Sequence, residues 1–149
     1  MQWWTEVSSG YSGTPLPKKL GITGDAVYVL INEPAGFEAL LGDVGEAVRQ
    51  RHLMPPIDVI VAFFSDRARL KAKWPQLIEA AQPDGAVWVA WPKAASGVTT
   101  DITDDTLRAD LLRTGWVDNK VCAIDDTWSG LRFVQRKEVR RPKDNAKRR

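Results

Sequence analysis

The residues best suited to chemistry follow a single apolar run. Ala86-Val87-Trp88-Val89-Ala90-Trp91 stops at Pro92 and gives way to Lys93-Ala94-Ala95-Ser96-Gly97-Val98-Thr99-Thr100-Asp101, a stretch that gathers a cation, three hydroxyls and a carboxylate. An ammonium beside hydroxyl donors suits the capture of a small anion, because charged hydrogen bonds are the strong ones. Lys93, Ser96 and Thr99 are therefore candidate ligand-binding residues. A second group stands near the N-terminus, where Ser12 and Thr14 flank Gly13 and offer hydroxyls and backbone N–H groups as a strap over an anion. Asn32, in the turn Asn32-Glu33-Pro34-Ala35-Gly36, and Trp128, in Asp126-Thr127-Trp128-Ser129-Gly130, complete the candidate set. The competing role for Thr99 and Asp101 is to cap the next helix, with Lys93 solvated. For the leader it is a surface loop that packs Trp3, Trp4 and Tyr11 on the core.

Other chemistries find no constellation. His52 is the only histidine and stands between Arg51 and Leu53, with Arg49 nearby, where a solvated role is expected. Cys122 is the only cysteine, with no second cysteine or histidine at ligand spacing, so no metal site and no thiol chemistry are expected. Asp125-Asp126 lies in a turn, where short acidic side chains shape the backbone. Lys93 acts as a base only if burial lowers its pKa. No catalytic residue, reaction or cofactor is assigned. A dinucleotide or adenosyl group needs glycines where the backbone meets phosphate or ribose, and a carboxylate for the ribose roughly 20 residues further on. The turn after Ile31 supplies only Gly36, and Arg49-Gln50-Arg51-His52-Leu53-Met54 contains no acid.

These residues hang on strands and helices that the sequence marks. Ala26 to Ile31, Ile57 to Phe64 and Ala86 to Trp91 are apolar at successive positions, the pattern of parallel strands covered on both faces. Between them, Phe37, Leu40 and Leu41 recur at helical spacing before Gly42, with Pro34 suited to the first turn. Ser65 is placed to cap a helix that starts near Asp66 and carries Leu70, Trp74, Leu77, Ile78 and Ala81; Pro75 predicts a kink or a restart. Thr103-Asp104-Asp105 reads as a cap with acids in the first turn, ahead of Leu107, Leu111 and Leu112. Val117 to Asp125 and Leu131 to Gln135 then form a hairpin. Val44 to Met54 is either a short edge strand or a ragged helix ending at Pro55-Pro56. In open α/β sheets ligands sit outside the carboxyl ends of the strands, which is where Lys93 emerges.

The 149 residues fit one domain, residues 1–139, with 1–21 as a leader loop and 140–149 as a basic disordered tail. Residues 132–149 carry nine Lys or Arg against Glu138 and Asp144, a surplus of +7 within a net +2, so the rest of the chain is acidic. That excludes a wholly basic nucleic-acid binder and leaves the tail as a weak, sequence-independent contact for nucleic acid or an acidic protein. No apolar run reaches the roughly 20 residues of a membrane span. With no secretory leader and one cysteine, a cytoplasmic location is expected.

Strand, helix, weak segment, strand, helix, strand, helix and closing hairpin resemble an abbreviated class I methyltransferase fold. The implied fold is a three-layer, Rossmann-like α/β domain with a mostly parallel sheet of five or six strands and a C-terminal antiparallel hairpin. More narrowly, Tyr11-Ser12-Gly13-Thr14-Pro15-Leu16-Pro17-Lys18-Lys19-Leu20-Gly21-Ile22, Trp88-Val89-Ala90-Trp91-Pro92-Lys93 and Val121-Cys122-Ala123-Ile124-Asp125-Asp126-Thr127-Trp128-Ser129-Gly130 resemble a family of small bacterial proteins of unknown function. Three function classes follow: a pocket for a small anionic ligand, an interaction module acting through its tail, and a divergent S-adenosylmethionine (SAM)-dependent methyltransferase.

Overall fold

The computed structural model describes residues 13–136. The expectations for Trp3, Trp4, Tyr11, Ser12 and the tail 140–149 lie outside the described residues.

Six strands form one sheet: β1 (Val27–Ile31), β2 (Val48–Arg49), β3 (Val59–Phe63), β4 (Ala86–Pro92), β5 (Trp116–Ala123) and β6 (Trp128–Gln135). Their spatial order is β2-β1-β3-β4-β6-β5. β2, β1, β3 and β4 run parallel, and β6 lies antiparallel between β4 and β5. Four helices join them: α1 (Leu16–Leu20), α2 (Phe37–Leu41), α3 (Arg67–Ala81) and α4 (Asp104–Leu111). This is the α/β Rossmann-like architecture of an abbreviated methyltransferase fold, closed by an antiparallel hairpin.

Two-sided burial accounts for the apolar strands. Alternate residues of a strand face opposite sides, and here they enter two separate cores. Val29, Ile60, Ala62, Val87 and Val89 pack with Leu70, Trp74 and Leu77 of α3 and with Leu107 and Leu111 of α4. Tyr28, Leu30, Val61, Phe63, Trp88 and Ala90 pack with Leu20 of α1 and with Phe37 and Leu41 of α2. Helices flank both faces because the chain moves outward from β1 to β2 and then back past β1 to β3, and right-handed crossovers in opposite directions put their helices on opposite faces.

Several local expectations change. The leader is not loop throughout: Pro17 sits in the first turn of the short helix α1, and Gly21, at φ 85°, ends it in a left-handed conformation. Asp66, not Ser65, caps α3, accepting from the N–H groups of Ala68 and Arg69 at 2.8 and 3.2 Å. α3 runs through Pro75 without a restart, since Leu70 and Trp74 before it and Leu77, Ala80 and Ala81 after it are all buried on one face. Packing on both sides outweighs the lost backbone hydrogen bond. Of the two readings of 44–54, the structure takes the edge strand, reduced to the two residues of β2. As expected, Thr103 caps α4; it forms a capping box with Thr106.

Candidate functional site

The strand order reverses between β1 and β3. The chain leaves β1 toward β2 on one side, and β3 lies on the other, so the carboxyl ends of these two strands border a crevice. In open α/β sheets this reversal is where ligands bind. A cavity of about 500 Å³ lies there, lined by Leu30, Ile31, Asn32, Phe64, Arg69, Ala72 and Lys73. The connection from β2 to β3 contains no helix: it packs Leu53 against the α3-side core and leaves Ile31, at the end of β1, only partly buried at the cavity.

Asn32 spans the reversal. Its φ of 57° is left-handed, a conformation that asparagine tolerates better than most residues, and its Nδ2 donates to the Phe63 carbonyl at 3.2 Å. The side chain thus ties the end of β1 to the end of β3 at the cavity rim. Arg69 and Lys73 stand one helical turn apart on α3 and supply two positive charges to the wall. Arg69 reaches Asp66 only at 4.0 Å with both side chains largely exposed, a pairing of little worth. Lys73 makes no ion pair among the described residues. Sequence reasoning passed over both because they read as the solvated face of a helix, and only the open neighbouring surface gives them a cavity to face.

Beside the crevice, a charged cluster pins the loop after β1. Arg49, the last residue of β2, donates to Glu33 and to Glu38, each at 2.7 Å, while its Nε is buried without a partner. Burial pushes the Glu33 carboxyl up, but the hydrogen bond from Arg49, its own backbone N–H and the charges of Arg49 and Arg51 outweigh it, so its pKa falls below the ordinary value. For Arg49, burial acts to lower the pKa, and the two glutamates more than reverse this. Glu33 and Arg49 therefore stay ionised at neutral pH.

The other sequence candidates disperse. Ser96 turns inward: its Oγ donates to the Lys93 carbonyl at 2.7 Å and accepts from the Val98 N–H at 3.1 Å. Thr99 lines a different cavity of about 500 Å³ with Trp91, Pro92, Val98, Ile102 and Asp104. Thr100 donates to the Ser65 carbonyl, and Asp101 accepts from the Arg67 N–H at 2.8 Å, so Asp101 helps start α3 instead of capping α4. Lys93 is half-buried, and its N–H donates to the Thr127 carbonyl at 2.7 Å. Trp128 packs edge-on against Phe63, with centroids 5.2 Å apart, and Asp125 fixes the hairpin turn by accepting from Thr127 and Trp128. Thr14 lines a third cavity with Lys18, Lys19, Lys120 and Cys122. Among the described residues, Asn32 is thus the one sequence candidate on the wall of the β1–β3 crevice. Among the described residues no group of histidine, cysteine and carboxylate side chains is arranged to hold a metal, and no helix is long and apolar enough to cross a membrane.

Described residues of the segments 11–22, 88–93 and 121–130 touch one another in the core. The Trp88 indole donates to the Leu20 carbonyl at 2.9 Å. Gly130 faces the same ring, and a Cβ there would stand 3.1 Å from Trp88 Cε3 and from Ile124 Cδ1.

Solved structures similar to this fold include methyltransferases. The ribosomal protein L11 methylase of Lactobacillus delbrueckii subsp. bulgaricus is similar over 87% of this chain and 81% of that one, with a TM-score of 0.53 at 15% identity. A SAM-dependent methyltransferase from Aquifex aeolicus is similar over 78% of this chain and 85% of that one, with a TM-score of 0.50 at 12% identity. LepI in complex with SAM is similar over 83% of this chain and 47% of that one, with a TM-score of 0.51 at 11% identity. No family model matches the sequence, and no curated protein matches it. At such identities the likeness establishes the fold alone. The residues do not fit an adenosyl group held in the usual Rossmann manner. β2 ends in Arg49 where a ribose carboxylate is needed, and the turn after β1 has one glycine and is tied down by Glu33.

Proposed function

We propose that this domain binds a small anionic ligand in the crevice between the carboxyl ends of β1 and β3. Lys73 and Arg69 supply the charge, and Asn32 orders the rim. The observation that carries the reading is the coincidence of two cations of α3 with a cavity of about 500 Å³ at the reversal of strand order. This moves the expected anion site from the loop after β4 to the loop after β1.

A divergent SAM-dependent methyltransferase is the second reading. It draws on the methyltransferase fold and on Glu33, which Arg49 holds beside the end of β2, so that a carboxylate from the β1 loop stands near where a ribose needs one. One calorimetric series separates the two readings, titrating the full chain with inorganic phosphate, SAM and S-adenosylhomocysteine. The anion reading expects phosphate to bind and Lys73→Ala to weaken it at least tenfold. Binding of both adenosyl compounds that is lost in Glu33→Gln supports the methyltransferase reading instead. Absence of phosphate binding, or phosphate binding indifferent to Lys73→Ala, overturns the first proposal.

A further inference from the structure

A second cluster of cations lies on the opposite face of the sheet, away from the β1–β3 crevice. Lys18 and Lys19 of α1 and Lys120 of β5 line a cavity of about 310 Å³ with Thr14, Val121 and Cys122. Among the described residues no acidic group lines the cavity, and neither Lys18 nor Lys120 forms an ion pair. The Cys122 thiol offers no countercharge: burial pushes its pKa up, against the opposing pull of Lys19, Lys120 and Lys93.

The backbone fixes these charges in place. Gly21 ends α1 in a left-handed turn, and the carbonyl of Leu20 is held by Trp88, so Lys18 and Lys19 sit on a short helix anchored to the central strand. On β5 the pairing with β6 shifts register between Asp118 and Lys120. Such bulges re-aim side chains and occur at edges and beside sites. Holding like charges together is unfavourable, and a multiply charged anion relieves it. Ammonium groups are compact donors without the planar fork by which arginine grips a carboxylate, and several of them suit a tetrahedral oxyanion of high charge.

We infer that the cavity formed by Lys18, Lys19 and Lys120 is a second binding site, which takes the phosphate group of a small phosphorylated molecule. Its volume accommodates a pyrophosphate or a phosphomonoester, near the lower end for small-molecule pockets. The site is independent of the β1–β3 crevice and stands or falls separately from it.

The test is a titration of the full chain with inorganic pyrophosphate at low salt, followed by amide ¹⁵N–¹H chemical shifts. Shifts are expected at Lys18, Lys19 and Lys120 to Cys122. Lys18→Gln combined with Lys120→Gln should weaken binding at least tenfold, with Lys120→Gln alone giving a smaller loss, while Lys73→Ala leaves these shifts unchanged. Lys18 and Lys120 are exposed, so their replacement leaves the core intact. Shifts confined to Asn32, Arg69 and Lys73, or an unchanged affinity in the double variant, overturn the inference.

Discussion

The Trp88 indole is the point at which distant parts of the chain are tied together. It is fully buried in the central strand, its N–H satisfied by the Leu20 carbonyl and its ring lying against Gly130. Truncation to Ala removes a large buried ring and should cost about 3–5 kcal/mol in urea-induced unfolding. Trp88→Phe keeps most of the packing but strands the Leu20 carbonyl, so a loss of about 1–3 kcal/mol is expected. Gly130→Ala drives a methyl against Trp88 and Ile124 and should cost about 1–3 kcal/mol through overpacking. Equal stability of all three variants and the parent would show that the α1 face is held together elsewhere. By contrast Lys73, on the outer wall of the crevice, should tolerate Ala within about 0.5 kcal/mol, because surface positions away from caps and cores contribute little.

Helices α3 and α4 are joined on one side of the sheet by a bidentate ion pair. Arg67 donates to the two oxygens of Asp110 at 2.7 and 2.9 Å, and the Asp110 carboxylate is buried. The hydrogen bond from Arg67 is the main reason that the Asp110 pKa lies below its ordinary value; the charges of Arg67, Lys71 and Arg113 add to it, and burial opposes them. A carboxyl whose pKa is lower in the folded than in the unfolded state stabilises the fold above its unfolded pKa, about 3.9 for Asp. That contribution is lost as pH falls through the folded value. The chain should therefore lose stability as pH falls below about 4, and Asp110→Asn should be less stable at neutral pH with a flatter acid limb. An unchanged pH profile in that variant would mean that the pair contributes nothing to joining the helices. The same geometry serves the crevice, since Asp66, Asp101 and Asp110 together hold the first turns of α3, from which Arg69 and Lys73 project.

At the scale of the whole molecule, the chain runs a methyltransferase-like sheet with one connection abbreviated. Where a helix would cover β1 on the α3 side, the stretch from β2 to β3 leaves open surface, and that opening is what makes the crevice. Arg69 is exposed and Lys73 partly so, and ligand affinity should therefore fall as ionic strength rises, screening being substantial once the Debye length shortens to about 10 Å near 0.1 M salt. An anion whose calorimetric affinity is constant from low to high salt would point to recognition by hydrogen bonds instead of charge.

The sequence by itself determined the layers of this protein: the uninterrupted apolar character of Ile57 to Phe64 and Ala86 to Trp91 requires cover on both faces, and caps such as Thr103 and turns such as that at Asp125 are local hydrogen-bonding devices legible in a few residues. It also determined that no acid stands in 49–54. What it left undecided depends on contacts between residues far apart in the chain. The hydroxyls of Ser96 and Thr100 look like ligand donors until the fold supplies backbone partners, and Asp101 accepts from the first N–H of a helix that begins 34 residues earlier. Conversely, Arg69 and Lys73 look like an ordinary solvated face until the missing helix leaves a cavity against them. Only the tertiary structure decides which polar groups are already satisfied, because that depends on which distant groups the sheet order brings within hydrogen-bonding distance.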